Sequence, residues 1–344
     1  LISYHRHNEE IKKDLLIEIE NNGDKIWHIN NIKNGGPYKY AKKLYNICKQ
    51  EKYDVVHIHI SLMSWIPALA AKLAGVPVCV AHGHGEKFLN YPKWVLLFIE
   101  PLGRFLNRFF CNQLVACSKR SGEYNFGKKA KVTILANYIP KEDLLSIPEK
   151  DIQEEKNKLN SKKYPIILGY MGSLDGVKNT IFLPDVIYEL KRIGIEALLL
   201  IAGNGEMFGK LEDKIKNLKL ENNVKLLGYR NDCNKLVQVF DYYISSSISE
   251  GMSLSMIEAQ MCGKPCFASS LISKESDLGI GLFKQISGFE AKRWANEIKK
   301  YIDDEGAPTP REEVIQKLDK TKKSEKYVVK QLIKIYSGEN NENS

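Results

Sequence analysis

The chain has no run of apolar residues long enough to cross a bilayer as a helix, which takes about 20 residues. The nearest candidate, residues 64–81, is interrupted by Lys72, Gly75 and two prolines. No secretory signal pattern is visible, and the seven cysteines are an odd number without metal-ligand spacing. We therefore expect a cytoplasmic protein with reduced thiols, either free in the cytoplasm or peripheral on the inner face of the plasma membrane.

The sequence also lacks the motifs of several functional classes. No Asp-x-Asp motif stands in a suitable place for a divalent ion, so we predict no metal site and no cofactor. No aromatic-basic run of the kind that binds RNA is present, so we expect no nucleic-acid partner. The three-glycine fingerprint of a dinucleotide-binding dehydrogenase is missing, which weighs against an NAD-dependent enzyme.

The composition is that of a globular protein, with 43% hydrophobic and 27% charged residues, and 344 residues are enough for two domains. Charge is distributed unevenly between the two halves. Residues 1–150 carry 22 Lys and Arg against 14 Asp and Glu, whereas the remainder carries 29 against 28. The basic half suits an anionic surface such as phospholipid or a lipid diphosphate, or is simply a solvated, lysine-rich surface.

Strand-like and helix-like segments alternate along the chain, which is the pattern of parallel sheets with crossover helices. Residues 38–50 have helical spacing with Tyr40, Leu44 and Ile47 on one face, and Ser118 is predicted to cap a helix. The predicted strands are 25–29, 55–59, 76–81, 113–116, 132–135, 166–171, 197–202, 224–227, 242–245 and 266–268.

A polar stretch at 141–165 separates the two series of strands, and we interpret it as an interdomain linker with a local helix. The chain is therefore predicted to be α/β, with a first domain at 1–145 and a second at 146–322. A C-terminal helix, predicted at 324–336, and a polar tail make up residues 323–344.

The most informative segment is residues 249–266, where a Ser-rich turn leads to Glu250 and then to a helix beginning near Ser253. The first N–H groups of a helix have no acceptor within it, and they favour phosphate. Glu258 lies within this helix, so two carboxylates beside an anion site would take the hydroxyls of a sugar nucleotide. Two glutamates eight positions apart also arise often by chance. The pattern of residues around them is what supports a functional interpretation.

The Ser-x-x-Glu-Gly and Glu-Ala-x-x-x-Gly-x-Pro spacing of this segment resembles the signature of glycosyltransferase family 4, a family of retaining enzymes. The resemblance covers most of residues 50–270. It implies a GT-B fold, in which two Rossmann-like domains face a central cleft and the last helix crosses back to the first domain. It also implies that the family's first strand and Gly-rich loop are missing before Leu1. Glu250 would lie against the transferred sugar, and Glu258 would hold the ribose.

Residues 172–179, Gly-Ser-Leu-Asp-Gly-Val-Lys-Asn, follow the first strand of the second domain. Lys178 would supply a point charge to a phosphate there, although a plain turn with a solvated lysine fits as well. Gly172, Lys178 and Asn179 match the family pattern Gly-Arg-x-x-x-x-Lys-Asn, and Ser173 stands in place of the arginine. In the family, the arginine and the lysine both stabilise the leaving diphosphate. A serine in place of the arginine is therefore expected to affect the turnover rate or even activity itself.

The next two strands of the second domain end in further candidates. Gly203, Asn204 and Gly205 form a Gly-x-Gly turn that fits either a nucleotide contact or an ordinary tight turn. Tyr229 occupies the family position whose backbone meets the base, or is a surface aromatic. Arg230 is a candidate to replace the missing arginine.

Two His-x-His pairs end neighbouring strands of the first domain. The resemblance implies that His82 lies near the donor sugar, while His59 and His84 are candidates for lining the cleft. His57 is expected to be a buried, hydrogen-bonded structural residue. Histidines one residue apart would suit a metal, but no carboxylate cluster accompanies them, so none is predicted.

Residues 91–110 are rich in aromatic residues and leucine and include two arginines. The segment fits a membrane interface, or a pair of core helices broken at Pro101 and Gly103. We prefer the second interpretation unless the acceptor is lipid-linked.

We predict a retaining, hexosyltransferase-type glycosyltransferase of the capsular or exopolysaccharide type. The donor is a nucleotide sugar, UDP-linked by preference, and the acceptor is a glycan or a polyprenyl-diphosphate-linked glycan. Catalysis is assigned to Glu250, His82 and Lys178. The alternative is a non-catalytic GT-B subunit that binds nucleotide sugar. The residues expected to bind the donor are Gly172, Ser173, Asn179, Gly203, Asn204, Gly205, Tyr229, Ser253, Leu254, Ser255 and Glu258.

Overall fold

The computed structural model describes residues 2–3, 21–29, 36–84, 93–135, 144–159, 161–304, 309–321 and 324–338. The chain groups into two compact units, one made of residues 1–135 and 332–344 and the other of residues 136–331. Residues 141–143 of the predicted linker lie outside the described residues, and the helix Glu149–Lys158 follows them. The described helices all fall short of the length and apolarity that crossing a bilayer requires.

The first unit is built on parallel strands. Its described strands are β1 (Ile2–Ser3), β2 (Trp27–His28), β3 (Val55–Ile58), β4 (Val78–Gly83), β5 (Gln113–Ala116) and β6 (Thr133–Ile134). The main sheet has the order β3-β4-β5-β6, and the short strand β1 pairs with β2. The helices are Pro37–Glu51, Trp65–Leu73, Lys93–Phe110 and Lys119–Phe126.

Two local predictions for this unit are confirmed. Tyr40, Leu44 and Ile47 are buried on one face of the helix Pro37–Glu51, as the helical spacing requires. The hydroxyl of Ser118 accepts a hydrogen bond of 3.0 Å from the N–H of Ser121, so it caps the following helix.

The segment predicted as a broken pair of core helices is instead one continuous helix, Lys93–Phe110, and that interpretation is wrong. Pro101 removes one backbone hydrogen bond without ending the helix. Gly103 faces the turn Ser61–Met63 so closely that an added Cβ would lie 2.8 Å from the side chain of Leu62. Asn107, one turn further on, donates to the carbonyl oxygens of that turn. The helix thus docks through its small and polar face.

The described strands of the second unit are β7 (Ile166–Met171), β8 (Ala197–Ala202), β9 (Val224–Gly228), β10 (Tyr242–Ser245), β11 (Cys266–Ser269) and β12 (Phe283–Ile286). They form one parallel sheet in the order β12-β11-β10-β7-β8-β9. Its helices are Glu149–Lys158, Leu183–Arg192, Phe208–Asn217, Cys233–Val239, Leu254–Met261, Ala291–Asp304 and Arg311–Leu318, and Glu325–Tyr336 runs on into the residues grouped with the first unit.

Strand β8 shows why this sheet is covered on both faces. All six residues of Ala197–Ala202 are buried. Leu198 and Leu200 join one hydrophobic core, whereas Leu199 and Ile201 join the core on the opposite face. A central strand of a parallel sheet needs a continuous apolar run of this kind, because alternate side chains pack into the cores on opposite faces of the sheet.

The strand order also fixes where a ligand can bind in this unit. Chain order runs outward from β7 in one direction through β8 and β9, and from β10 in the other through β11 and β12. The order therefore reverses between β7 and β10, which are hydrogen-bonded neighbours. In open parallel sheets the crevice outside the carboxyl ends of the strands at such a switch point is the usual ligand site.

Candidate functional site

The loop after β7 is organised by a carboxylate that the sequence reasoning did not single out, Asp175. One of its oxygens accepts the backbone N–H groups of Val177 and Lys178 at 2.9 Å each. The other accepts the hydroxyl of Ser173 at 2.7 Å. Partial burial acts to raise the pKa of Asp175, and these donors outweigh it, so the pKa lies below its ordinary value. The side chain of Ser173 therefore serves its own loop.

The Gly-x-Gly turn after β8 is packed directly against the β7 loop. Gly203 has φ of 150° and Gly205 has φ of 159°, and an added Cβ at Gly203 would lie 1.8 Å from the carbonyl oxygen of Gly172. The N–H of Leu174 donates to the carbonyl of Asn204 at 3.0 Å. These glycines are thus required by the close approach of two loops at the edge of the sheet.

The Ser-rich turn after β10 joins the β7 loop from the other side. The hydroxyl of Ser246 donates to the carbonyl of Asn179 at 2.9 Å, and the N–H of Ile248 donates to the carbonyl of Val177 at 2.8 Å. Asn179 has a left-handed backbone, with φ of 50°, which brings the chain back toward this turn. The loops that follow β7 and β10, on either side of the switch point, are therefore held together by hydrogen bonds.

Lys178 and Glu250 meet at this point. The ammonium nitrogen of Lys178 lies 2.6 Å from Oε1 of Glu250, and the two side chains are 24% and 13% exposed. The hydroxyl of Ser247 donates to the second oxygen of Glu250 at 2.9 Å. An ammonium has three donors and a carboxylate about four acceptor sites, so both groups keep capacity for a ligand.

The helix Leu254–Met261 begins beside this pair in sequence. Ser253 is its N-cap residue, as predicted, but makes no side-chain cap, and its backbone N–H donates to the hydroxyl of Ser276 at 2.9 Å. For the next two N–H groups, of Leu254 and Ser255, no acceptor lies within the part of the chain that the structure describes. The hydroxyl of Ser255 contacts that of Tyr243 at 2.9 Å. Leu254 and Ser255 therefore offer the amides for an anion.

Glu258 lies one turn further along this helix and is half-buried. Burial raises the pKa of its carboxyl above the ordinary value. Across the described ranges no side chain or backbone group donates a hydrogen bond to its side-chain carboxylate. A half-buried carboxylate without a protein donor is suited to accept hydroxyl groups from a ligand.

Two residues after β9 differ in their availability. Tyr229 is 61% exposed. Arg230 is held by Glu155 at 2.8 Å and by two bonds of 2.6 Å to Asp232, and these carboxylates raise its pKa against the effect of burial. Its guanidinium is therefore committed within its own unit and is a poor substitute for the missing arginine.

In the first unit, the four histidines at the ends of β3 and β4 form a cluster. Nε2 of His57 lies 3.1 Å from Nδ1 of His82, and Nδ1 of His59 lies 2.7 Å from Nε2 of His84. Burial, reinforced by the neighbouring imidazoles, lowers the pKa of His57 and His59 to about 4 and that of His82 to about 2. The cluster is therefore neutral near pH 7.

Comparison with solved structures identifies the fold. HepE of Anabaena, determined in complex with UDP, aligns with a TM-score of 0.77 and 18% identity over 94% of this chain and 89% of HepE. A glycosyltransferase of Rickettsia africae aligns with a TM-score of 0.77 and 18% identity over 99% and 90% of the two chains. The fold is GT-B, with two parallel-sheet α/β domains, as predicted.

Sequence comparison then gives the family. The family model described as Glycosyl transferases group 1 matches residues 151–321, and the one described as Glycosyltransferase Family 4 matches residues 12–140. EpsF of Bacillus subtilis is 30% identical over 275 residues, which cover 78% of this chain and 71% of EpsF. The chain belongs to glycosyltransferase family 4.

Two further relatives carry more specific names. The capsular polysaccharide biosynthesis glycosyltransferase CapH of Staphylococcus aureus is 28% identical over 83% of this chain and 78% of CapH. The UDP-Gal:alpha-D-GlcNAc-diphosphoundecaprenol alpha-1,3-galactosyltransferase of Escherichia coli is 29% identical over 66% of this chain and 60% of that protein.

Proposed function

We propose that this family 4 glycosyltransferase transfers a hexose, with retention, from a nucleoside diphosphate donor to a glycan or polyprenyl-diphosphate-linked acceptor in surface polysaccharide synthesis. The observation that carries the proposal is the ion pair of Lys178 and Glu250 at the switch point of the second unit, beside a helix start. We assign UDP as the nucleotide, because HepE binds UDP and the E. coli relative is a galactosyltransferase that uses UDP-Gal.

The chemistry assigned to this site is stabilisation of a leaving diphosphate. When the bond between the sugar and the diphosphate breaks, negative charge grows on the diphosphate oxygens. The ammonium of Lys178 and the amides of Leu254 and Ser255 would face that charge, and they need no reorganisation to do so. The acceptor hydroxyl attacks from the same face and loses its proton to the diphosphate. No divalent ion is required in this scheme.

The two glutamates would hold the rest of the donor. Glu250 is fixed by Lys178 and Ser247 at its two oxygens, so its remaining acceptor sites have a defined direction toward sugar hydroxyls. Glu258, half-buried and without a described protein donor, would accept the hydroxyls of the ribose. His82 is assigned to the donor sugar by the family resemblance alone.

A lipid-linked acceptor is supported by the surface of the helix Lys93–Phe110. Five large apolar side chains at helical spacing are exposed there: Leu97, Phe98, Leu102, Phe105 and Phe109, at 55–74%. Arg108 is exposed beside them, and residues 1–150 carry a net positive charge. An apolar stripe with basic neighbours suits the surface of an anionic membrane, where a polyprenyl diphosphate would be presented.

The transfer reaction is tested by incubating the protein with UDP-sugars and measuring UDP release with and without a lipid-linked or glycan acceptor. The wild type should release UDP, and Glu250→Ala should abolish release while its melting curve stays cooperative. A Glu250→Ala protein that retains full turnover would exclude this site as the catalytic centre.

A second candidate function is a subunit that binds nucleotide sugar without turnover. Ser173 favours it, because this residue replaces the family arginine and its hydroxyl is bonded to Asp175. Such a protein would be stabilised by UDP-sugar in a thermal-shift assay but would release no UDP under any acceptor condition.

A further inference from the structure

The sequence places two His-x-His pairs on neighbouring parallel strands of the first unit, at the ends of β3 and β4. In the register of this pair His57 is opposite Val80 and Ile58 is opposite Ala81, so the next step sets His59 beside His82. Residues two apart on a strand point to the same face, and matched positions on adjacent strands share it. The topology therefore gathers four imidazoles, including that of His84, on one face of the sheet.

The ring nitrogens of this cluster are close to one another. One ligand atom from each of His57, His59 and His82 can be chosen so that all three lie within 4.8 Å of one another. The pairs His57–His82 and His59–His84 have nitrogen separations of 3.1 and 2.7 Å. Two nitrogens bound at about 2.05 Å to one tetrahedral ion lie about 3.3 Å apart. Small side-chain rotations would bring three imidazoles to that spacing.

Two further features of the cluster point to a ligand. His82 is 5% exposed, and no group among the described residues forms a hydrogen bond with its Nε2. On the outer side, the hydroxyl of Tyr336 lies 2.8 Å from Nδ1 of His57. Metal-bound histidines characteristically use their second nitrogen for such a bond, which fixes the ring and its tautomer.

We propose that His57, His59 and His82 bind one divalent transition-metal ion of the zinc class, with His84 as a fourth ligand. Neutral imidazoles are ligands that zinc, copper and nickel share, and they are poor ligands for Mg²⁺ or Ca²⁺. All the ligands belong to the first unit, whereas the residues assigned to the diphosphate belong to the second. His82 is the one catalytic candidate among the ligands, and its assignment to the donor sugar rests on the family resemblance. The metal proposal goes beyond the transfer reaction, and metal binding is measured without donor or acceptor, so its test does not depend on transfer.

The test is titration of chelator-treated, full-length protein with Co²⁺, followed by visible absorption, and then by Zn²⁺ competition and calorimetry. The wild type should bind one Co²⁺ per chain, with an absorption band that Zn²⁺ removes. The double variant His57→Ala with His59→Ala should lose the band. The matched control is His5→Ala with His7→Ala, because this pair has the same His-x-His spacing elsewhere in the sequence and should leave the band unchanged.

Two further variants keep the proposal open to refutation if the double variant fails to fold. His59 is exposed, so His59→Gln removes a ligand with little risk to the core and should also lose the band. Tyr336→Phe should keep the stoichiometry but weaken Co²⁺ binding by about 10–100-fold, the usual effect of removing an outer hydrogen-bond partner. The proposal is overturned if the wild type shows no saturable binding, or if the His59→Gln protein binds Co²⁺ as tightly as the wild type does.

Discussion

Lys178→Ala is the substitution that most directly probes the proposed transfer site. It removes the ammonium that lies 2.6 Å from Glu250 and that we assign to the leaving diphosphate. The backbone of the loop should be retained, because the N–H groups of Val177 and Lys178 still donate to Asp175. Any loss of turnover then reports on the missing charge and not on collapse of the loop.

The structure sets the expected magnitudes. The pair is mostly buried, at 24% and 13% exposure, so losing this charge-assisted hydrogen bond should cost about 1.5–3 kcal/mol of folding stability. That is a fraction of the roughly 5–15 kcal/mol by which domains are stable, so the protein should still fold. Removing one preorganised donor to a developing charge typically lowers kcat by about 10²–10³-fold.

The assays are UDP release under saturating donor and acceptor, and thermal unfolding monitored by circular dichroism. A matched control is Lys299→Ala, because Lys299 and Asp303 form an ion pair of similar length, 2.7 Å, but are 45% and 56% exposed. An exposed pair contributes little, so this variant should change neither the melting temperature nor the rate appreciably.

A Lys178→Ala protein that loses the expected stability but turns over within about threefold of the wild type, far from the loss expected of such a donor, would refute the reasoning. The lysine would then be a structural partner of Glu250 only. The double variant with Glu250→Gln separates the two roles further. If both residues act on one transition state, their effects on kcat should be strongly non-additive.

Three other predictions test the loops, the ribose carboxylate and the exposed helix. In chemical denaturation, Gly203→Ala should lower the free energy of unfolding by more than about 2 kcal/mol, because the added methyl group would meet a backbone oxygen. The control Gly209→Ala should be neutral or stabilising, because there is open space around Gly209. Burial raises the pKa of Glu258 in the folded protein above its ordinary value near 4.5. Ionisation of this carboxyl therefore lowers the free energy of unfolding only at pH values above that ordinary pKa. Glu258→Gln should therefore raise the melting temperature at pH 7 but not at pH 4, and equal shifts of the melting temperature at the two pH values would contradict this prediction. The same substitution should weaken UDP binding about tenfold or more, as measured by calorimetry. Phe105→Ser with Phe109→Ser should reduce co-sedimentation with anionic vesicles while leaving stability within about 0.5 kcal/mol, and undiminished sedimentation would argue against a membrane-facing helix.

The sequence predicted the central strands of the second unit closely because nearly all of their residues are buried. The predicted segments 166–171, 197–202 and 242–245 coincide with β7, β8 and β10. The edge strand Phe283–Ile286 was missed, because three of its four residues are only partly buried and its Phe-Lys-Gln-Ile sequence lacks a continuous apolar signal. The helix Lys93–Phe110 was misread because Pro101 and Gly103 are ordinary helix breakers, and Gly103 here serves close packing against Leu62.

The sequence alone determined the class of protein and the residue types of its candidate site, because motif spacing is a local property of the chain. Tertiary structure decided which of those residues meet. Lys178 and Glu250 are 72 positions apart and touch only because β7 and β10 are neighbours at the switch point. The gathering of four histidines on one face also follows from strand order and register. These are long-range relations, so no local pattern of residues specifies them.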